Sequence, residues 1–138
     1  MMVPRPPTDR EILQKINDRY LAKFGQFERD NLENERSSKI YVPIDCAAIA
    51  NDLKVDTDIV FGRLYYHLDK KYGYTQDNGA KVHLFTMAVG KDRHAVNFPM
   101  LSAVLAELQQ SWFRFTAPLV ISSIALVISV ISLVCTGS

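Results

Sequence analysis

Residues 115–135 read FTAPLVISSIALVISVISLVC, and none of these side chains carries a charge. At about 1.5 Å of rise per residue, a helix of this length spans roughly 31 Å, the thickness of a bilayer's hydrocarbon core. Pro118 falls in the first turn, where its missing N–H costs little. The alternative, a buried core helix that is apolar on every side, would need a much larger protein around it. The stretch therefore predicts one transmembrane helix over residues 112–135, followed by a short exterior tail at 136–138.

The residues that flank this stretch predict its orientation. Trp112 and Phe113 are expected in the interfacial aromatic belt, and Arg114 can extend to the headgroups. Arg93 and Arg114 precede the stretch, whereas no charged side chain follows Cys135. The positive-inside rule places the N-terminal domain in the cytosol, at a plasma membrane or bacterial inner membrane. The short tail also predicts post-translational insertion, as in tail-anchored proteins.

Small side chains recur at steps of three and four along the predicted span, at Ser122, Ala125, Ser129 and Ser132. Such a face lets two helices approach closely, with hydroxyl groups able to bond across the contact. In the alternative interpretation the face points to lipid, and the serines bond carbonyls of their own helix. A homodimer formed through this helix is thus one of two expectations.

The residues before the span are polar and nearly balanced in charge. The chain has 16 Lys and Arg against 15 Asp and Glu, a formal net charge of +1, which gives no general attraction to nucleic acid. Its two cysteines, Cys46 and Cys135, fall in unlike environments and are not expected to form a disulfide. The length before the span, about 110 residues, is enough for one globular domain. We predict that domain over residues 9–111, after a disordered proline-rich lead-in at 1–8.

Hydrophobic spacing and capping residues predict the elements of this domain. A helix over 9–28 begins at the capping box of Thr8 and Glu11, and the mixed-charge run at 28–38 is expected to continue it as a solvated face. A short edge strand at 40–42 precedes a helix at 46–53 that Asp45 can cap. A third helix is predicted from 57 to 72, with its inward face formed by Ile59, Val60, Leu64 and Leu68.

The second half of the domain is predicted to contain a hairpin and a final helix. The pair Asn78-Gly79 is a strong hairpin signal, and it joins the strand-like segments 74–76 and 81–89. A further extended segment is expected at 94–98, and an amphipathic helix begins at Pro99. The predicted fold class is therefore α+β, followed by a single transmembrane helix.

The run AIANDLKV at residues 48–55, followed by IVFGRL at 59–64, places small and apolar residues where two helices touch at a steep angle. With the order of elements around it, this run resembles a winged helix-turn-helix domain over about residues 9–90. The turn position that often holds glycine in such domains is Lys54 here. The resemblance implies a recognition helix at 57–72 and a wing at 74–89.

The resemblance also implies which side chains would contact DNA. Arg63, His67, Lys70 and Lys71 would face the major groove, and Lys81 the phosphate backbone. Three aspartates on the same helix and its cap balance the helix's permanent cations, which disfavours phosphate binding. Many winged helices bind proteins instead, so the resemblance leaves both functions open.

Residues 65–74, YYHLDKKYGY, are dense in tyrosine and lysine. In one interpretation, one or two of the tyrosines pack into the core and the rest cover the hairpin. In the other, an exposed aromatic and basic patch that includes Tyr66 anchors a protein partner. The spacing of the tyrosines does not decide between them.

The sequence contains none of the compact motifs of catalysis or metal binding that we considered, such as GxSxG, a P-loop, CxxC or HExxH. His67, His83 and His94 do not combine with Cys46 at a metal-ligand spacing. Cys46 starts a capped helix, so its thiol has either a lowered pKa or, as the more frequent alternative, a place in the core.

We therefore expect no catalysis, no metal and no cofactor. The expected function is that of a membrane-anchored adaptor whose cytosolic domain binds a protein partner. A membrane-tethered DNA-binding regulator and a small accessory subunit of a larger membrane complex are the alternatives.

Overall fold

The computed structural model describes residues 5–27 and 36–137 of the chain. The chain divides into two compact units, residues 1–105 and 106–138. The predictions for residues 1–4, for 28–35 of the mixed-charge run and for 138 lie outside the described residues. The first unit is α+β with small antiparallel sheets, which confirms the predicted class at that level.

Helix α1, Asp9–Gly25, starts where the capping box predicted. The Thr8 hydroxyl accepts a hydrogen bond from the Glu11 amide at 3.1 Å and donates one to the Glu11 carboxylate at 3.2 Å. Arg5 also donates to that carboxylate at 2.7 Å, and this bond lowers the pKa of Glu11. Ile12, Leu13 and Ile16 are the fully buried residues of the helix.

The lead-in was predicted to be disordered over residues 1–8, and for residues 5–8 the structure differs. Pro7 is buried, and its carbonyl accepts a hydrogen bond from Arg63 at 2.9 Å. This hydrogen bond ties the chain just before α1 to a side chain that is 56 residues away in the sequence.

Helix α2, Cys46–Leu53, and helix α3, Thr57–Gly62, are joined by a tight turn. Asp45 caps α2 through the amides of Ala47 and Ala48. Lys54 ends α2 in the left-handed conformation, with φ 58° and ψ 43°, which glycine usually adopts at helix ends. A lysine there costs on the order of 1–2 kcal/mol relative to a right-handed residue.

The predicted helix over 57–72 is continuous but not uniform. It consists of α3, a π-helical segment at Arg63–Leu68, and helix α4 at Asp69–Tyr72. Val60, Leu64 and Leu68 are fully buried as predicted. The prediction for Ile59 is wrong, because its side chain is 48% exposed, one position away from the buried stripe.

Two sheets complete the first unit. Strands β1, Tyr41–Pro43, β4, Phe85–Val89, and β5, Asp92–Asn97, form an antiparallel sheet in the order β1-β5-β4. Strands β2, Tyr74–Thr75, and β3, Lys81–Val82, form a separate antiparallel pair. The predicted edge strand and the predicted Asn-Gly hairpin are both confirmed.

The prediction of one strand over 81–89 is wrong. Its first two residues pair with β2, whereas residues 85–89 belong to the other sheet and pair with β5. The change of sheet follows from the backbone amides of Leu84 and Phe85, which bond the side chain of Asp69 at 2.9 and 3.2 Å. The predicted wing at 74–89 is therefore two structures, the β2–β3 hairpin and the first strand of the β4–β5 hairpin.

Arg36 is the described residue of the mixed-charge run that departs most from a solvated face. Its side chain is buried and donates to the carbonyls of Lys23 at 2.7 Å and Phe24 at 2.9 Å, in the last turn of α1. It also donates to the carbonyls of Ser38 and Lys39. Burial lowers the pKa of Arg36, but a guanidinium stays charged at any physiological pH. Arg36 thus places a positive charge at the C-terminus of α1, where it interacts favourably with the helix dipole.

Helix α5 is one continuous helix over Phe98–Thr136, which begins one residue before the predicted start at Pro99. Pro118 therefore lies inside the helix, and its predicted place in a first turn is wrong. Asn97 accepts a hydrogen bond from the Met100 amide at 3.2 Å at the beginning of the helix. Within the first unit, Phe98, Leu101, Val104 and Leu105 are buried. Within the second unit, the large apolar side chains from Trp112 to Val134 are exposed. Helix α5 is the one helix among the described residues that is long and apolar enough to cross a membrane.

Candidate functional site

The candidate site lies on the helical residues 63–74 and the β2–β3 hairpin that follows them. The π-helical segment Arg63–Leu68 carries Tyr65, Tyr66 and His67, which are all exposed. Segments of π-helix are rare and are found frequently at functional sites. The buried Leu64 and Leu68 hold this segment against the core, so the exposed side chains stand on a fixed backbone.

Two of the residues predicted to contact a partner or DNA contact Asp9 at the start of α1. Arg63 donates to a carboxylate oxygen of Asp9 at 2.9 Å, and its side chain is only 23% exposed. His67 lies 3.3 Å from the other carboxylate oxygen of Asp9. Because Asp9 pairs with the guanidinium, Arg63 contributes little free positive charge to this face.

The aromatic side chains form a ladder from the core to the surface. Phe85 is buried and contacts Phe61 edge-on, with ring centroids 5.7 Å apart. Phe61 stacks on Tyr65 at 5.6 Å, and Tyr65 meets Tyr66 edge-on at 5.0 Å. Both arrangements are favourable for aromatic pairs. Tyr66 at the end of the ladder is 72% exposed.

The structure tests the burial of the tyrosine-rich stretch, whereas the anchoring of a protein partner stays a prediction. None of its four tyrosines is buried: Tyr72 is half-buried, and Tyr65, Tyr66 and Tyr74 are exposed. The core interpretation is therefore wrong for these residues. Sequence reasoning singled out Tyr66 but not the ladder that supports it, because the ladder starts at Phe85 on β4, which is distant from Tyr66 along the chain.

Asp69 connects the helix to the hairpin and was not among the predicted site residues. One of its carboxylate oxygens accepts the amides of Leu84 and Phe85, and the other lies 3.1 Å from Nδ1 of His83. A carboxylate only accepts, so the ring nitrogen that faces it carries the proton. Gly73 lets its own backbone lie close to that of Asp69, with the Gly73 amide 2.8 Å from the Asp69 carbonyl oxygen. A Cβ at position 73 would lie only 2.5 Å from that oxygen.

A small cleft opens between α4 and the hairpin, and we call it the helix–hairpin cleft. Its volume is about 160 Å³. Lys70 lines it from the helix, and Lys81 and His83 line it from the hairpin, with Tyr74 and Thr75 between them. Of the predicted site residues, this cleft brings together Lys70 and Lys81. Lys71 lies outside its lining, with its ammonium 5.3 Å from the Tyr72 ring centroid.

A second groove lies beside the start of α2 and α3 and contains Cys46. Its volume is about 400 Å³, and its lining includes Ile44, Phe61 and His94. Burial, with a smaller contribution from Asp45, raises the pKa of Cys46 to about 11. Of the two alternatives for Cys46, a lowered pKa or a place in the core, the structure therefore agrees with the second. Among the described residues, no group of three or more His, Cys, Asp or Glu is arranged to hold a metal ion.

The predicted membrane-interface residues Trp112, Phe113 and Arg114 are all exposed on α5. In the apolar stretch, Ser129 donates to the carbonyl of Ala125 and Ser132 to that of Ile128, both at 3.0 Å. The hydroxyls thus satisfy their own helix, as the lipid-facing alternative expected. The helix–helix contact predicted through Ser122, Ala125, Ser129 and Ser132 stays a prediction.

No protein-family model matches the sequence, and no curated protein or solved structure matches it significantly.

Proposed function

We propose that the chain is a non-catalytic, membrane-anchored binding module whose N-terminal domain presents a tyrosine-rich surface to a protein partner. The observation that carries this proposal is Tyr66, which is 72% exposed at the end of a ladder of packed rings. Tyrosine is enriched among the residues that dominate the energetics of protein interfaces. A ring that neighbouring rings already hold in place loses little side-chain entropy on binding.

The apolar part of α5 supplies the anchor in this proposal. Its large side chains are more than half exposed, from Leu119 at 57% to Leu133 at 72%. Such a surface is stable in a hydrocarbon environment and costly in water. With Arg93 and Arg114 on its N-terminal side, the domain would lie in the cytosol, at a plasma or bacterial inner membrane. Tethering would raise its effective concentration toward partners in the same membrane.

The order of helices and strands supports a winged-helix-like architecture for the domain. The resemblance implies a short strand before the two helices of the motif and a hairpin after them. Strand β1, helices α2 and α3, and the β4–β5 hairpin follow one another in that order along the chain. In this interpretation the wing is the β4–β5 hairpin, and the β2–β3 hairpin is an insertion between helix and wing.

A membrane-tethered DNA-binding regulator is the second candidate, and the same order of elements favours it. The charges of residues 57–72 oppose it, because Asp9 engages Arg63. Asp56 and Asp58 stand at the helix start, where they would repel phosphate. Retention on duplex DNA at low salt, lost in Arg63→Ala/Lys70→Ala/Lys71→Ala, would establish this candidate.

The test of the first candidate is the loss of partners when Tyr66 is changed to Ala. The full-length chain and the Tyr66→Ala variant are expressed at equal levels in membranes, solubilised and captured through the N-terminus, and co-purifying proteins are quantified by mass spectrometry. We expect at least one membrane-associated protein to fall by tenfold or more, the scale of an interface hot spot. An accessory subunit would instead retain its complex at fixed stoichiometry.

Ile40→Ala is the matched control, since Ile40 is another large exposed apolar residue, at 48%, outside the tyrosine-rich stretch. It should leave the captured proteins unchanged. An identical set of partners for the wild-type chain and Tyr66→Ala, with both folded by circular dichroism, contradicts the proposal.

A further inference from the structure

We propose that the helix–hairpin cleft binds an acidic segment of the protein partner, with Lys70 and Lys81 pairing with its carboxylates. This inference rests on the proposed protein-binding function and names the chemistry of the partner. The two lysines are separated along the chain but line one cleft of about 160 Å³. That volume suits one or two carboxylate side chains and is too small for a helix.

The positive charge of the cleft is not compensated from within the described part of the chain. There, neither Lys70 nor Lys81 has a carboxylate oxygen within 4.0 Å. Asp69 is the acidic residue in the lining, and its oxygens already accept two backbone amides and face the His83 ring. The carboxylate therefore stabilises the hairpin, and the lysines remain available to an external anion.

The neutral groups of the cleft also suit an acidic peptide. Tyr74 and Thr75 are exposed and can each donate a hydroxyl hydrogen bond to a carboxylate. Tyr66 and Lys70 are four residues apart on the same helix, so the aromatic ladder and the cleft lie next to each other. A segment that places an apolar residue against Tyr66 can thus place an acidic residue at Lys70.

The number of cations favours a peptide over the two other anionic partners. Tight duplex DNA binding typically neutralises about 6–10 phosphates, and recognition of anionic lipid typically uses clusters of about 4–8 Lys or Arg. The cleft and its surroundings supply three lysines, Lys70, Lys71 and Lys81, since Asp9 engages Arg63. A short acidic segment needs only two or three pairs together with an aromatic contact.

Selection of peptides on the intact protein tests this inference. A displayed library of random decapeptides is panned on the full-length chain in nanodiscs of zwitterionic lipid, with empty nanodiscs for counter-selection. We expect the retained peptides to be enriched in Asp and Glu over Lys and Arg and to bind at least tenfold more weakly to Lys70→Glu/Lys81→Glu. Panning on that variant should reverse the charge preference, and binding to the wild-type chain should weaken with added salt.

The control is Lys15→Glu/Lys91→Glu, which makes the same change in net charge at two other exposed lysines and should leave the selected peptides bound. Peptides that need Tyr66 but show no acidic preference would overturn the inference and leave the proposed function standing. The recovery of no peptide at all would count against both. Binding of duplex DNA or of phosphatidylserine nanodiscs tighter than that of any selected peptide would also overturn the inference.

Discussion

The two units of the chain use similar apolar residues in opposite ways, and α5 contains both uses. Leu101 and Leu105 are 0% and 5% exposed in the first unit, whereas Leu119 and Leu133 are 57% and 72% exposed in the second. A buried side chain of this size stabilises a fold by about 1.5–3 kcal/mol, a gain that the exposed ones do not realise within the protein. The difference indicates that the second unit needs another apolar environment, which a bilayer would supply.

The largest expected effect comes from charging the second unit. Ile124→Arg/Val127→Arg should weaken membrane insertion by about 5–7 kcal/mol, at roughly 2.5–3.5 kcal/mol for each arginine near the centre of a span. The measurement is the fraction of full-length chain that resists carbonate extraction from membranes. Ile124→Ala/Val127→Ala should remain in the membrane fraction.

A charge placed in the core of the first unit should affect folding and not membrane insertion. Leu101→Arg should unfold the first unit, because it places an unpaired charge in the core, yet leave insertion intact. Unfolding of the first unit by Ile124→Arg/Val127→Arg, measured by circular dichroism, would show that the two units do not fold independently.

Substitution of Arg36 should have the second largest effect, because Arg36 is a charged residue that is buried in the first unit. Arg36→Met should lower the free energy of unfolding by about 2–4 kcal/mol, since it leaves the carbonyls of Lys23 and Phe24 without their donor. Thermal unfolding of the full-length chain in detergent measures the loss.

Arg36→Lys should recover only part of this stability, because an ammonium cannot reproduce the fork of donors that reaches several carbonyls. Lys15→Met, at an exposed position, should change stability by less than about 0.5 kcal/mol. An equally small effect of Arg36→Met would show that the buried guanidinium contributes nothing net.

The smallest expected effect is a pH dependence of stability that Cys46 of the first unit contributes and Cys135 of the second does not. Burial raises the pKa of Cys46 from 9.0 to about 11. The folded state therefore holds its proton more tightly, and this contribution is complete below pH 9 and is lost as the pH rises toward 11. Between pH 8 and pH 10.5 the wild-type chain should lose about 2 kcal/mol more stability than Cys46→Ala does.

Denaturant unfolding at the two pH values measures this difference. Cys135→Ala should behave as the wild-type chain does, because Cys135 lies outside the folded core. The same alkaline loss in Cys46→Ala would assign it to other groups of the first unit.

Much of the fold was predictable because its signals are local. The capping box at Thr8, the cap at Asp45 and the Asn-Gly hairpin each depend on residues within a few positions of one another. Val60, Leu64 and Leu68 were recognisable as core from helical spacing. Ile59 was misplaced because spacing alone cannot say which edge of an apolar stripe faces the core.

The candidate site was less predictable, because its character depends on contacts between distant residues. Arg63 looks like a free cation in the sequence, and Asp9, 54 positions away, neutralises it. Lys70 and Lys81 become neighbours only because Asp69 fixes the hairpin beside the helix. A charged side chain is therefore free or engaged according to the tertiary structure.

The sequence alone determined the apolar C-terminal stretch, the α+β class and most helix starts, because hydrophobicity, spacing and capping act over one or two turns of the chain. Tertiary structure alone decided that residues 81–89 divide between two sheets, that Arg36 is buried, and that no tyrosine of residues 65–74 enters the core. Each of these depends on hydrogen bonds or packing with partners far along the chain. Such partners leave no periodic or local signal in the sequence.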